Sequence, residues 1–279
     1  MQKVILFILT VMSTFFLSGQ NENTIYLLVR ADDIGSFHAA NVGCIESFQN
    51  GIARSVELMP PCAWFPEAVE MLNENPEYDV GIHLTLTSEW SSVKWRPLTH
   101  CPGLIDDDGY FFPMVWKNKN FPPNSSIQES NWNLDEIEQE LRAQIELSLK
   151  HVPHISHITT HMGFENFHPK IGELVENLAK EYDLYVDMSE VKRFPRWDRE
   201  RPVESRIDQF CENLENLTEG TYMFVEHPAK NFPEMQPVGH TGSTDVALSR
   251  EMVTRVFTND KVKNIIGHRN IKLISYKDL

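Results

Sequence analysis

The chain has few cysteines, few basic residues and, after its first twenty residues, no long apolar run. Its four cysteines are widely spaced and form no C-x-x-C pair, which argues against a zinc ribbon or a redox dithiol. Two states of the thiols stay open, namely one oxidised pair in an exported protein or four buried free thiols. The sequence also has no internal repeat, low-complexity block or Gly/Ser-rich linker, so its 279 residues fit most simply into a single α/β domain.

Basic residues are outnumbered by acidic ones, with 25 Lys and Arg against 40 Asp and Glu and a formal net charge of −15. Binding to nucleic acid requires a basic surface that neutralises phosphates, and binding to an anionic lipid surface has a similar requirement. The charge balance therefore argues against nucleic acid and against a membrane surface as partners. It favours a neutral or cationic small substrate.

The first twenty residues contain the one long apolar run. Lys3 is followed by apolar residues from 4 to 17 and then by Ser18-Gly19, the layout of a secretory signal. The run is shorter than the roughly 20 apolar residues of a membrane anchor. We therefore predict a signal peptide at 1–20, a mature domain at 21–279 and export to the periplasm or the medium, without a stable membrane span after cleavage.

Short apolar runs alternate with amphipathic runs along the mature chain, which predicts βα units and a mostly parallel sheet. Strands are predicted at 24–33, 52–60, 79–87, 154–161, 184–189, 221–228 and 271–276, and helices at 38–49, 64–76, 133–151, 170–182 and 247–258. Residues 88–130 are rich in Pro, Trp, Asn and Gly and are predicted to form an irregular insertion. Six or seven such units are enough for a barrel or for a wide open sheet.

Residues that can bind a metal lie at the ends of four predicted strands. Asp32 and Asp33 end the first strand, and His83, His161 and His227 end three others. Because ligands bind outside the carboxyl ends of parallel strands, these side chains are expected to meet at one face. Taken singly, each has a structural explanation, since an Asp pair can cap a helix and a lone His is often a hydrogen-bonded core residue.

The combination favours a divalent metal ion, because a cation compensates the repulsion between adjacent carboxylates. Two imidazoles and one carboxylate leave open positions for water and substrate, as a hydrolytic site requires. One aspartate can then bind the metal while its neighbour accepts a proton from water. His157 and His161 are four residues apart and face the same way on a strand, so either can be the second imidazole.

Aromatic residues are concentrated in the irregular segment. They are Trp90, Trp95, Tyr110, Phe111, Phe112 and Trp116. Sugar rings stack on such side chains, so the cluster indicates either a carbohydrate cleft or a hydrophobic cluster beneath a long loop.

Four stretches resemble a known family. In this order, RADDIG, GIHLTLTSEW, SHITTHMG and EHP are similar to motifs of the YdjC-like (ChbG/HpnK) carbohydrate deacetylases, and the similarity extends from about residue 25 to the end of the chain. The resemblance implies a single domain with a distorted (β/α) barrel of parallel strands and an irregular inserted segment. It also implies a hydrolase that removes acetyl groups from N-acetylated sugars or oligosaccharides.

The resemblance also implies roles for individual residues. Asp33, His83 and His161 match the metal ligands, Asp32 matches the base, and His227 matches the acid that protonates the departing sugar nitrogen. The candidate substrate-binding residues are Trp90, Trp95 and Met162. Thr159 departs from the family pattern, which has an acidic residue there, so we expect weaker support for the neighbouring ligand.

The metal and the reaction each leave alternatives. Ligand chemistry favours zinc, whereas the resemblance implies magnesium, and we predict a divalent ion of one of these two kinds. The alternative functions are a metallo-esterase or amidase acting on a non-sugar acyl group, and a catalytically inactive sugar-binding protein. The sequence leaves open whether the chain forms a homodimer.

Overall fold

The fold is built on a sheet in which every strand pair is parallel. The computed structural model describes residues 24–198 and 200–279, so the predicted signal peptide lies outside the described residues. The strands in this part of the chain are β1 Ile25–Ile34, β2 Ser55–Leu58, β3 Val80–Leu84, β4 Ile155–Thr160, β5 Lys192–Arg193, β6 Gly220–Glu226 and β7 Lys272–Ile274.

The strands are arranged in the order β4-β3-β2-β1-β6-β5, and β7 also pairs with β1. β7 lies beside Tyr26–Leu28 at the beginning of β1, while β2 lies beside its second half. The sheet curls into a half-barrel surrounded by helices. This confirms the predicted α/β fold with a distorted barrel of parallel strands.

Seven α-helices of the described part connect the strands. They are α1 His38–Gln49, α2 Phe65–Asn73, α3 Leu134–His151, α4 Pro169–Glu181, α5 Arg206–Glu215, α6 Val246–Thr258 and α7 Asp260–His268. The start of α3 follows from its sequence, because the Asn133 side chain accepts a hydrogen bond from the Glu136 amide. At its other end, Lys150 in the last turn complements the helix dipole. Residues 88–130 contain only two short 3₁₀ turns, as expected for an irregular insertion.

The predicted secondary structure was wrong in three places, one of which is the short strand β5, Lys192–Arg193, that was not predicted. Residues 184–189 form no strand, although apolar residues alternate there, because the segment pairs with no neighbouring strand and Tyr185 is 47% exposed. Helices α5 and α7 were not predicted, and each packs a narrow apolar stripe that includes Leu214 or Val262.

The two faces of β1 have different surroundings. Leu27, Val29 and Ala31 belong to the apolar core beneath the helices. Since successive side chains alternate, Arg30 and Asp32 occupy the other face. The sheet therefore separates an apolar layer from a set of charged side chains at its carboxyl edge.

The four cysteines are free and buried, so the reduced alternative holds. Among the residues that the structure describes, no helix combines the length and apolar character needed to cross a bilayer.

Candidate active site

Three of the predicted ligands lie together at the carboxyl ends of the strands. Asp33 is on β1, His83 is on β3 and His161 directly follows β4, and all three are buried. Asp33 Oδ1 is 3.7 Å from His83 Nε2 and 3.5 Å from His161 Nδ1. Metal–ligand distances of about 2.0–2.2 Å place neighbouring ligands about 3–4 Å apart, so the three donors have the spacing of a metal site.

Two of the atoms in this group that could bind a metal are buried without a hydrogen-bond partner. Neither Asp33 Oδ1 nor His161 Nδ1 forms a hydrogen bond with a residue that the structure describes. Buried polar atoms are nearly always satisfied, and an unsatisfied pair that faces each other has the arrangement needed to share a cation. The Asp-His-His set therefore fits a divalent cation.

Asp33 is held in an unusual backbone conformation. Its φ angle is 75°, in the left-handed region that a residue with a side chain rarely adopts. The turn is closed by Ser36, whose amide and hydroxyl both donate to the Asp33 carbonyl, and Gly35 at φ 100° passes close to the Met59 carbonyl. Such strain is typical of functional sites. Here it lets consecutive residues, Asp32 and Asp33, both reach the carboxyl edge of the sheet.

The outer oxygen of Asp33 is fixed by a cation from a helix. Arg250 of α6 donates from Nη2 to Asp33 Oδ2 over 2.7 Å, which leaves Oδ1 to face the histidines. Burial alone would raise the pKa of Asp33, but the charges of Arg250, His227 and His161 hold this pKa well below its usual range. Asp33 is therefore an anion at neutral pH.

Each histidine of the Asp33–His83–His161 group has a partner on its second ring nitrogen. His161 Nε2 lies 3.1 Å from Glu89 Oε2, and His83 Nδ1 lies 2.8 Å from Thr159 Oγ1. The residue that departs from the family pattern, Thr159, therefore contacts His83 and not His161. Partners of this kind orient a metal-binding imidazole and set which nitrogen is free.

The two histidines have opposite electrostatic surroundings. Burial lowers the pKa of His83 to about 4, although the charge of Asp32 opposes this shift. Burial would lower the pKa of His161 as well, but Glu89 and Asp33 outweigh burial and raise it to about 10. Without a metal, His83 is neutral, whereas His161 is protonated and lies between the carboxylates of Asp33 and Glu89. A bound cation would compensate the charges of the same two carboxylates.

Asp32 lies beside the cluster in a defined orientation. Arg30 donates to both of its oxygens, over 2.7 Å from Nε and 2.8 Å from Nη2, and donates from Nη1 to the Tyr276 hydroxyl over 3.0 Å. Asp32 Oδ2 is 3.7 Å from His83 Nε2. The carboxylate therefore faces the donor group while a rigid, bidentate cation fixes its plane.

His227 follows β6 at the level of the aspartates, because Glu226 is in register with Ala31. Its side chain is 39% exposed and lines the same cavity as the cluster. Burial lowers the pKa of His227, but the charge of Asp33 and the contact with Glu226 raise it by more, so the net shift is upward. The protonated form of His227 is thus favoured at the cavity wall.

The cavity above the cluster has a volume of about 1340 Å³. It is lined by Asp32, Asp33, His83, His161 and His227, and also by Trp90, Met162 and Trp116.

The candidate substrate-binding residues have different positions relative to this cavity. Trp90 supports Arg250, whose guanidinium lies 5.5 Å from the ring centre, and Met162 accepts a contact from the Thr87 hydroxyl. Trp95 is buried behind the cavity, where its indole donates to the Thr87 carbonyl over 2.7 Å.

His157 is not part of the donor group. It is buried between Glu57 and Ser156, and its ring stacks on Tyr276 with centroids 3.7 Å apart. Of the two histidines that the sequence left open, the structure brings His161 to Asp33 and His83. His168, the next histidine along the chain after His161, caps the start of α4.

Sequence reasoning missed four charged residues of the site. Arg30 and Glu89 stand within the quoted motifs, and Arg30 has the two-residue spacing that places it on the face of Asp32. Glu57 lies within its strand and not at the carboxyl end, and the strand carries no histidine or second carboxylate. Arg250 is 217 residues from Asp33, on a helix with ordinary amphipathic spacing, so no local pattern indicates it.

The chain is similar in sequence to a known protein family and to named relatives. The family model for YdjC-like proteins matches residues 26–268. A carbohydrate deacetylase of Clostridium beijerinckii is 30% identical over 264 residues, which covers 91% of this chain and 99% of the relative. Carbohydrate deacetylase 1 of Listeria innocua is 27% identical over 263 residues, with coverage of 91% and 99%.

A solved structure supports the fold. A crystal structure from Enterococcus faecalis superposes with a TM-score of 0.71 at 23% identity and covers 92% of this chain and 99% of its own. At this identity the likeness establishes the shared fold alone.

Proposed function

Because this chain belongs to the family of YdjC-like proteins, we propose that it is a metal-dependent carbohydrate deacetylase that hydrolyses the N-acetyl group of a sugar. The two relatives described above are named carbohydrate deacetylases, and the similarity covers 99% of each of them. The observation that carries the proposal is the buried Asp33–His83–His161 group, with two unpartnered donor atoms, at the wall of a large cavity.

The three residues of this group would hold the ion. When bound, a divalent cation supplies Lewis-acid activation of water and of the acetyl carbonyl. Zinc suits two imidazoles and a carboxylate by ligand softness, and magnesium is the alternative. The residues next to the group determine how protons move.

Asp32 acts as the general base. Its Oδ2 lies on the cluster side, within 3.7 Å of His83 Nε2, so it can accept a proton from a water molecule held near the donors. Arg30 keeps the carboxylate in this orientation through two hydrogen bonds. Asp33 takes the role of ligand instead, because its Oδ1 lies 3.7 Å from His83 Nε2 and 3.5 Å from His161 Nδ1, close to both imidazoles.

His227 acts as the general acid. Amine leaving groups depart poorly unless the nitrogen is protonated as the C–N bond breaks. The upward shift of the pKa of His227 favours the form that carries this proton. Its partial exposure places the imidazole where a sugar nitrogen can reach it from the cavity.

The size and lining of the cavity support a sugar chain as the substrate. Its volume of about 1340 Å³ is larger than the roughly 300–1000 Å³ of ordinary small-molecule pockets. Trp116 lines it and is 40% exposed, which leaves an aromatic face available for a pyranose ring. We therefore propose an N-acetylated oligosaccharide rather than a small acyl compound.

Acetate release by the purified protein tests the proposal. We expect acetate from N-acetylated chito-oligosaccharides, loss of this activity after treatment with a chelator, and recovery on addition of Zn²⁺ or Mg²⁺. Release from O-acetyl esters alone would identify an esterase. A protein that binds sugar, holds no metal and releases no acetate would be the inactive binding protein, and either result contradicts the proposal.

A further inference from the structure

A line of three hydrogen-bonded groups leads away from His83 on the side opposite the cluster. His83 Nδ1 contacts Thr159 Oγ1 over 2.8 Å, and Thr159 Oγ1 donates to Glu57 Oε2 over 2.7 Å. Glu57 lies on β2, His83 on β3 and Thr159 on β4, so the line crosses three adjacent strands. Glu57 and His83 are fully buried.

The direction of these hydrogen bonds is determined by Glu57. Its carboxylate can only accept, so the single hydroxyl proton of Thr159 is donated to it. The Thr159 oxygen must then accept from His83, which puts the imidazole proton on Nδ1. In a neutral imidazole this leaves Nε2 unprotonated, and Nε2 is the atom that faces Asp33 Oδ1 at 3.7 Å.

Glu57 is itself held rigidly. Its Oε1 accepts from the Ser55 hydroxyl over 2.8 Å and lies 3.0 Å from His157 Nε2. Gly81, on the neighbouring strand, makes room for this arrangement, since a Cβ there would lie 2.1 Å from Glu57 Oε2 and 2.4 Å from His157 Nε2. No residue with a side chain fits at position 81 unless the carboxylate moves.

We propose that Glu57 is a positioning residue that acts through the Thr159 hydroxyl to fix His83 in the tautomer that a metal ligand requires. The two ligand histidines are then supported in different ways. Glu89 contacts His161 directly, whereas Glu57, on the strand next to His83, acts on His83 through the Thr159 hydroxyl. Thr159 therefore does not weaken the site, because Glu57 supplies the acidic group that position 159 lacks.

The tautomer can be measured in the unmodified, metal-free protein. Long-range ¹H–¹⁵N NMR spectra of the full chain distinguish a protonated Nδ1 from a protonated Nε2, and the His83→Ala variant assigns the signal. We expect the His83 proton on Nδ1. A proton on Nε2 would overturn the proposal.

Two substitutions then test the relay. Thr159→Val keeps the shape of the side chain but removes the hydroxyl, and we expect the Kd for Zn²⁺ to rise about 10- to 100-fold, as for other groups that orient a ligand histidine. Thr159→Ser restores the hydroxyl and should bind Zn²⁺ nearly as tightly as the parent. Competition with a chromophoric chelator measures both affinities.

Thr254→Val is the matched control. Thr254 is a buried threonine outside the relay, and its hydroxyl donates to the backbone carbonyl of Ala229. We expect its Zn²⁺ affinity to equal that of the parent. Equal affinity in Thr159→Val and Thr254→Val would contradict the relay, as would a Thr159→Ser variant as weak as Thr159→Val.

The inference rests on the proposed function only in taking His83 as a metal ligand. If the parent binds Zn²⁺ and releases acetate but Thr159→Val does so equally well, the relay fails and the proposed function stands. If the parent binds Zn²⁺ without releasing acetate, the deacetylase proposal fails, and the tautomer and affinity measurements still decide the relay.

Discussion

The two faces of the half-barrel are filled in opposite ways. On one face a polar layer, defined as Arg30, Asp32, Glu57, His83, His157 and Thr159, spans β1 to β4 through direct hydrogen bonds and short contacts. Beside β6 an aromatic layer, defined as Phe194, Trp197, Phe210, Phe224 and Phe257, packs ring against ring with centroids 4.8–6.5 Å apart.

The difference separates function from stability. Buried charges lose their hydration and contribute little to stability even when paired, so the polar layer adds little to the free energy of unfolding. Buried aromatic rings stabilise a fold through the large apolar area that they remove from water. We therefore expect substitutions in the polar layer to remove metal binding or turnover, and substitutions in the aromatic layer to lower the unfolding temperature.

The largest effect is expected for His83→Ala. The variant loses one of three ligands and, with it, the several kcal/mol of charge stabilisation that a catalytic metal supplies, so acetate release should fall by about 1,000-fold or more. Elemental analysis should find no bound metal. His168→Ala, which removes a histidine that caps α4 and contacts Trp132 outside the cluster, should keep both properties. A His83→Ala protein that still binds metal would contradict the assignment of function to the polar layer.

His227→Gln should lower turnover without removing the metal. General acid catalysis contributes about 10²–10⁴-fold, so acetate release from N-acetylated sugars should fall by that factor. The loss should be much smaller with an aryl acetate, because its leaving group needs no proton. An equal loss on both substrates would show that His227 does not protonate the leaving group.

Phe210→Ala tests the aromatic layer. Phe210 is fully buried against Phe194, Trp197 and Phe224, and its truncation should cost about 3–5 kcal/mol, or roughly 6–20 °C in unfolding temperature. Below that temperature the folded variant should bind metal and turn over substrate normally. A variant that stays stable but loses its metal would reverse the assignment of the two layers.

Metal affinity should depend on pH through His161. In the metal-free protein its pKa is raised to about 10, so at pH 7 the ring is protonated and this proton must leave when a metal binds. The apparent affinity for Zn²⁺ should therefore rise about tenfold per pH unit between pH 7 and 9. Calorimetry in buffers of different ionisation enthalpy should detect about one released proton, and a flat affinity would contradict His161 as the ligand.

Much of the fold followed from local patterns, and the exceptions share a cause. β1, β3 and α3 were predicted because their apolar spacing is strong and their ends carry clear signals. Residues 184–189 have the alternation of a strand, but a strand needs a partner, and partners depend on the topology of the whole sheet. The same limit explains the omission of α5 and α7, whose apolar stripes are narrow.

The candidate site was predictable in part for the same reason. Asp33, His83 and His161 stand at strand ends, and parallel strands bring such residues together whatever lies between them. Arg250 reaches the site from a helix, and Glu57 acts across two strands, so neither has a signal in its own segment. Asp32 and Asp33 are held differently, because Arg30 of β1 pairs with Asp32 and Arg250 of α6 pairs with Asp33, and this difference supports the separate roles proposed for them.

The division of work between the adjacent aspartates is the centre of the account, and a paired measurement tests it most directly. Asp32→Asn and Asp33→Asn change the same atoms at neighbouring positions, and each purified variant is assayed for bound metal and for acetate release, with the unfolding temperature as a check on folding. We predict that Asp32→Asn retains about one metal ion per chain and loses most of its turnover, whereas Asp33→Asn loses both. Equal metal content in the two variants, or a metal-free Asp32→Asn, would contradict the account.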